Sequence, residues 1–324
     1  MAALNFTRLI NLYSHSGENL DVDIFLHQKP RREQQKYQTL SKYIEKYPSG
    51  WKKRLEFADL LYEMGEWSQA IEQYQIVIER QPQLVSVRLK LAKIWQILGS
   101  TKDAIAIYKS CLDWIDDLQL SHSLSLNVSH SHKANKFHIL GLIALCRQNY
   151  SEAIKNISGA TIFSPDNCCH WLALGQAYQQ NQQYLDALKA FDAILSYQPD
   201  DLVALLHIYD VLVILSELEV DLPHDISHLH ADNDKITPRE FWLIIAEERL
   251  QRAINLSADS YQVLYRQISL RCLKKQVLGV EGKKTQRLIN LLIKIAPTAK
   301  QTQEIKQYFQ QLQQETKSNS RDQI

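Results

Sequence analysis

The sequence is poor in the residues that interrupt helices. Only 9 of 324 residues are glycine and 8 are proline, which disfavours an all-β or low-complexity chain and suits helices. Neither sign of charge dominates: 37 Lys and Arg stand against 36 Asp and Glu. No net field therefore draws the chain to nucleic acid or to an anionic membrane. A long hydrophobic run is also missing. The longest apolar stretch, Leu202 to Leu215, carries His207 and Asp210 and is too short to span a bilayer, so membrane insertion is not expected. Five cysteines, an odd number without paired spacing, argue for a reducing compartment. Met1 to Tyr13 holds Arg8 inside its apolar part and has no cationic leader, unlike a signal peptide. These absences together lead to a cytoplasmic expectation.

What is present is best seen between Cys168 and Pro199. Trp171, Leu174, Gly175 and Tyr178 recur at helical spacing; Asn181-Gln182-Gln183 forms a polar turn; Ala187, Phe191 and Ile194 repeat the spacing before Pro199. That pattern predicts two amphipathic helices, each with one apolar stripe. Gly175 and Ala187 are expected at the closest crossing, where only a small side chain lets two backbones approach. One such hairpin has no way to bury both its faces, so it predicts stacked neighbours. The markers do return. Pro48 to Pro82, Gly65 to Gly99, Ala70 to Ala104 and Ala153 to Ala187 are each 34 residues. The order W-x2-L-G-x2-Y, then A-x3-F, then P over 171–199 resembles the tetratricopeptide repeat.

The resemblance covers about residues 31–315, sharply over 51–199 and diffusely beyond. It implies an all-α fold, a right-handed α-solenoid of antiparallel helix hairpins with an irregular N-terminal cap and degenerate C-terminal repeats. The expected organisation is a cap over 1–30 and a solenoid over 31–218, with Arg31–Tyr47 as half of an incomplete first repeat. Ala153 lies 49 residues beyond Ala104 instead of 34, which predicts a longer second helix and an inserted loop near 117–132. An acidic, His-bearing loop follows at 219–237. Thr237-Pro238-Arg239-Glu240 reads as a capped helix start. Degenerate repeats and a Gln-rich capping helix fill 238–316, and 317–324 reads as a frayed tail.

Few motifs suggest chemistry. Gly279-Val280-Glu281-Gly282-Lys283-Lys284-Thr285 has two residues between its glycines and no preceding strand, so it reads as an interhelix turn rather than a phosphate loop. His122, His130 and His132 cluster in one expected loop and His224, His228 and His230 in the other. Neither has the Cys or the i, i+4 pairing that fixes a metal's geometry, and no metal or cofactor is expected. Cys111 falls at a core position. The adjacent Cys168 and Cys169 suit neither a redox pair nor a zinc knuckle.

In the family resembled, first helices line a concave groove that holds a peptide or helix of a partner. Stepping by three and four beside each core stripe, that face would comprise Lys52, Leu55, Asp59 and Tyr62; Ser86, Leu89, Lys93 and Gln96; Asn135, His138, Leu142 and Leu145; and Cys169, Leu172, Gln176 and Gln179. The leucines in this set are apolar groups with no core left to enter, so the expected partner brings apolar anchors of its own. The family's Lys/Asn/Arg clamp for a C-terminal carboxylate is not matched: Leu55 and Asp59 occupy the corresponding places. The expectation is a non-catalytic adaptor or scaffold binding a protein or peptide partner. The alternative is the substrate-recruiting region of a bacterial enzyme resembling O-linked N-acetylglucosaminyl-type glycosyltransferases, its catalytic part absent here. The inserted loops are a third candidate surface, and the oligomeric state is left open.

Overall fold

The computed structural model describes residues 31–63, 66–121, 126–218, 220–221, 236–258, 260–295 and 300–321. Its helices are α1 (Arg31–Lys46), α2 (Trp51–Glu63), α3 (Trp67–Arg80), α4 (Val85–Ile97), α5 (Thr101–Ser121), α6 (Leu126–Cys146), α7 (Tyr150–Phe163), α8 (Cys168–Gln180), α9 (Tyr184–Tyr197), α10 (Leu202–Glu217), α11 (Pro238–Ser257), α12 (Tyr261–Leu273), α13 (Gly279–Ile295) and α14 (Lys300–Arg321). No strand occurs among the described residues. The fold is all-α, with helix hairpins packed in chain order within each unit as in an α-solenoid. Two compact units divide it, with the boundary between Gln182 and Gln183, in the turn from α8 to α9. The N-terminal cap (1–30), Gly65 and most of the loop at 219–237 lie outside the described residues.

Side chains in the turns set the helix ends. Asn149 accepts from the Glu152 N–H to cap α7, Asn167 from Cys169 to cap α8, and Asp201 from Ala204 to cap α10. Thr237 and Glu240 form a reciprocal capping box at α11, with Pro238 in its first turn. A second device recurs at the prolines. Six residues after each, a donor on the next helix bonds the proline carbonyl: Arg54 to Pro48 at 3.1 Å, Arg88 to Pro82 at 3.3 Å, and Trp171 to Pro165 at 2.7 Å. Each inter-repeat turn is thereby tied to the helix that follows it, and an orphan carbonyl is satisfied. After Pro199 the donor is Arg252 of α11 instead.

In the N-terminal unit each helix packs on its neighbour in sequence, from α1 on α2 to α7 on α8, and α8 also reaches α6. Ala58, Leu61, Ala70, Tyr74 and Val77 are fully buried, and one turn of the array later so are Ala92, Ala104 and Cys111. Gly141 marks the crossing of α6 and α7. A methyl group there would sit 2.2 Å from Cγ1 of Ile157, so the close approach depends on glycine.

In the C-terminal unit α10 is buried along most of its length and packs on α9 and α11. Asp210 is held there by Arg266 of α12 in a two-point contact, Nε to Oδ1 at 2.8 Å and Nη2 to Oδ2 at 2.6 Å. Tyr209 donates to the Arg266 carbonyl at 3.1 Å. A buried charge is tolerated because its partner is fixed in fork geometry.

Three local expectations are corrected. The insertion near 117–132 is mostly helix: α5 runs to Ser121 and α6 begins at Leu126, leaving 122–125 outside the described residues. Ser and His are weak helix formers but not breakers, and this stretch contains no glycine or proline. Gly279 to Thr285 is the first part of α13, not a turn between helices. Gly282 is required because a methyl there would meet the Val277 carbonyl oxygen at 2.3 Å. The C-terminal tail is also helical as far as Arg321.

Candidate functional site

The N-terminal unit contains a cavity of about 400 Å³ between α4, α5, α6 and α8, with the turn leading into α7 at one side. That size is in the range of ligand-binding clefts. Leu89, Lys93 and Gln96 reach it from α4; His138, Leu142 and Leu145 from α6; Cys169, Leu172 and Gln176 from α8. A step of 49 residues from α4 to α6 (Leu89 to His138) and of 34 from α6 to α8 (His138 to Leu172) places these side chains on equivalent faces of successive first helices. Stacking then turns those faces to one side.

The other residues picked from the sequence lie elsewhere. Lys52 and Ser86 are exposed, and the Lys52 Nζ lies 5.7 Å from the Trp51 ring centroid. Leu55 and Tyr62 lean on the core cluster of α2 to α4, and Tyr62 meets Trp67 edge-on at 5.4 Å. Asp59 accepts from Tyr74 at 2.6 Å and from Lys90 at 2.7 Å, so its carboxylate is engaged within the protein. Asn135 is half-buried and Gln179 buried, and neither lines the cavity. In their place the cavity gains Ile97, Thr101, Tyr108, Cys146, Gln148, Tyr150, Ala173 and Gln180. Continuing the four-residue step would have found two of these, since Cys146 follows Leu142 and Gln180 follows Gln176. The remainder come largely from second helices and turns, which a first-helix pattern does not sample.

Hydrogen bonds organise one wall. Buried Tyr108 donates to Gln96 Oε1 at 3.2 Å, and the Gln96 amide donates to Cys146 Sγ at 2.8 Å. Burial raises both the Tyr108 hydroxyl and the Cys146 thiol above their ordinary values, so both stay neutral. His138 lines the cavity from α6, and its ring packs against that of His170 of α8, which is not among the lining residues, with centroids 4.7 Å apart. Asn167 bonds His170 Nε2 at 3.2 Å. Burial, aided by His170, drives His138 down to about 3. Burial drives His170 down to about 4 against the opposing pull of Asp166. Both are neutral at physiological pH. Nδ1 of each is buried without a hydrogen-bond partner.

Among the described residues no group of three or more His, Cys, Asp or Glu is placed to hold a metal ion. His130 and His132 lie on α6, where the His130 ring approaches Phe163 at 5.7 Å. His122, His224, His228 and His230 fall outside the described residues. Burial pushes the Cys111 thiol up to about 11 and that of Cys272 to about 12, values unsuited to a nucleophile. No helix among the described residues is long and apolar enough to cross a membrane.

A tetratricopeptide repeat family model matches residues 55–113 and 172–208. A stretch of 62 residues is 37% identical to Superkiller protein 3 of Schizosaccharomyces pombe, and spans 19% of this chain but only 4% of that protein. Among solved structures the chain is similar to pilF of Pseudomonas aeruginosa, with 15% identity, 79% of this chain and 96% of that one covered, and a TM-score of 0.45. It is similar to a thermophilic TPR protein of Thermus thermophilus, with 13% identity, 68% and 98% coverage and a TM-score of 0.46. YrrB, described as a TPR protein with an unusual peptide-binding site, is 14% identical over 70% of this chain and 97% of its own, with a TM-score of 0.33. Residues 55–113 and 172–208 thus match tetratricopeptide repeats, and the helix hairpins they form agree with that match.

Proposed function

We propose that this chain is a non-catalytic adaptor, and that the cavity between α4, α6 and α8 receives a peptide or helix of a partner protein. Repeats of this family serve protein interaction, which supports the general class. The finer reading is carried by one observation: Leu89, Leu142, Leu145 and Leu172 come from three different repeats and line a single 400 Å³ cavity beside neutral polar groups. Apolar side chains held half-exposed around a concavity gain most when another apolar surface displaces their water. An aliphatic anchor from a partner does that. The engaged state of Asp59 and the leucine at position 55 leave no carboxylate clamp in the first repeat, so an acidic C-terminal tail is not the expected ligand.

The test is capture of a partner from the native cell by the intact chain and by Leu172→Asp and Leu145→Asp variants, each checked for an unchanged thermal melt. Leu89 and Leu142 also lean on the core, so their substitution is the less selective probe. The expected result is loss of one specific partner in both variants. Retention of that partner by both would remove the cavity from the account and direct attention to the loop at 219–237.

A further inference from the structure

The even charge of the whole chain conceals a segregation. Residues 183–260 hold fifteen Asp and Glu against five Lys and Arg, whereas residues 261–316 hold three against ten. Within the second stretch four of the cations lie on α13. We propose that the exposed face of α13 docks an acidic amphipathic helix of a partner protein.

Gly282, Thr285, Ile289 and Leu292 turn one side of α13 into the core. Opposite them Val280, Lys284, Arg287, Leu291 and Lys294 are exposed at steps of four and three, with exposed Lys283 beside them. Val280 is 70% exposed and Leu291 36%. The one carboxylate of the helix, Glu281, is already bonded by Arg271 at 2.5 Å and by Lys284 at 2.7 Å. Lys283 and Arg287 are left without an acidic partner among the described residues. The result is a cationic seam about 20 Å long, with an apolar side chain towards either end.

Charge complementarity calls for an anionic occupant, and the two apolar groups narrow the choice. A helix lying on an anionic membrane buries a broad apolar face. In α13 that face is spent in the core, and Val280 and Leu291 stand roughly 16 Å apart along the axis. Nucleic acid meets a protein through phosphates, sugars and base edges, and a row of phosphates gives two exposed aliphatic groups nothing to displace their water. A polypeptide helix supplies both chemistries, carboxylates and aliphatic anchors repeating at three and four. A second copy of this chain is poorly equipped. On α11, Glu240 is closed into its capping box and Glu247 is held by Lys274, which leaves Glu248. Each exposed ion pair adds little alone. Several cations in a row steer an acidic partner, and the apolar contacts hold it.

The test is a displayed library of Ala-rich helices with one face randomised, selected on the intact chain and on a Lys283→Glu, Arg287→Glu double variant. Both substituted side chains are exposed, so an unchanged thermal melt is expected. The intact chain should enrich Asp and Glu together with Leu, Ile or Val at steps of three and four. A synthetic helix from that pool should bind the double variant about tenfold more weakly. It should bind Leu172→Asp as it binds the intact chain, and more weakly as salt is raised. The salt titration and the Leu172→Asp comparison suffice together if the double variant melts early. Enrichment of Lys and Arg, no enrichment over the double variant, or loss of binding on Leu172→Asp overturns the proposal. So does tighter binding of phosphatidylglycerol vesicles or of a DNA duplex than of any selected helix, which gives the face to lipid or nucleic acid. Self-association of the intact chain that the double variant abolishes gives it to a second copy and overturns the proposal likewise.

Discussion

At the scale of residues, the buried imidazole pair makes the N-terminal unit sensitive to acid. A histidine in the unfolded chain titrates near 6.5, whereas folding lowers His138 to about 3 and His170 to about 4. Below pH 6.5 the unfolded chain takes up protons that the folded chain refuses. Stability therefore falls as pH drops from about 6.5 towards 4, and the pair contributes no pH dependence above about 7. The urea midpoint of the intact chain is expected to fall between pH 7.5 and pH 5, and that of His138→Phe to fall less. Equal falls would contradict the assignment. The sequence picks out His138 by its helical step from Leu142, but not its pairing, because the ring it packs against, His170, lies 32 residues away on α8. Asp210 and Arg266 are hidden in the same way, being 56 residues apart. Gln148 and Gln182, at φ of 58° and 62°, occupy the left-handed position that Gly99 fills at 76°. A search for glycine alone misses both turns.

At the scale of elements, small residues decide how closely helices cross. Gly141→Ala adds helix propensity of about 1 kcal/mol. It also places a methyl 2.2 Å from Ile157 and 3.3 Å from the Ala153 carbonyl oxygen, and Ile157 is fully buried. Overpacking of this kind costs about 1–3 kcal/mol, so the clash wins and the thermal midpoint should fall. A midpoint equal to or above that of the intact chain would show that α6 and α7 cross elsewhere. Helix pairing is legible where proline, glycine and alanine return at 34 residues, because each has a steric reason to be there. The long α5 and α6 are less legible, since a shift in register announces extra residues without saying whether they coil or loop out. The donors six residues after Pro48, Pro82 and Pro165 escape notice for another reason: two are arginine and one is tryptophan, and only the bond they make is common.

At the scale of the whole molecule, the period marks local hairpins and is silent about where one compact unit ends. The boundary after Gln182 falls inside the repeat that carries the clearest sequence pattern. The central claim concerns the N-terminal unit: that its cavity is where the captured partner sits. Amide chemical-shift mapping of the labelled intact chain, titrated with the segment of the captured partner that binds it, tests this most directly. The account predicts perturbations concentrated at Leu89, Gln96, His138, Leu145, Leu172 and Gln176, with α12 to α14 unchanged. Perturbations confined to α9–α14, with those six amides unmoved at saturation, would contradict it.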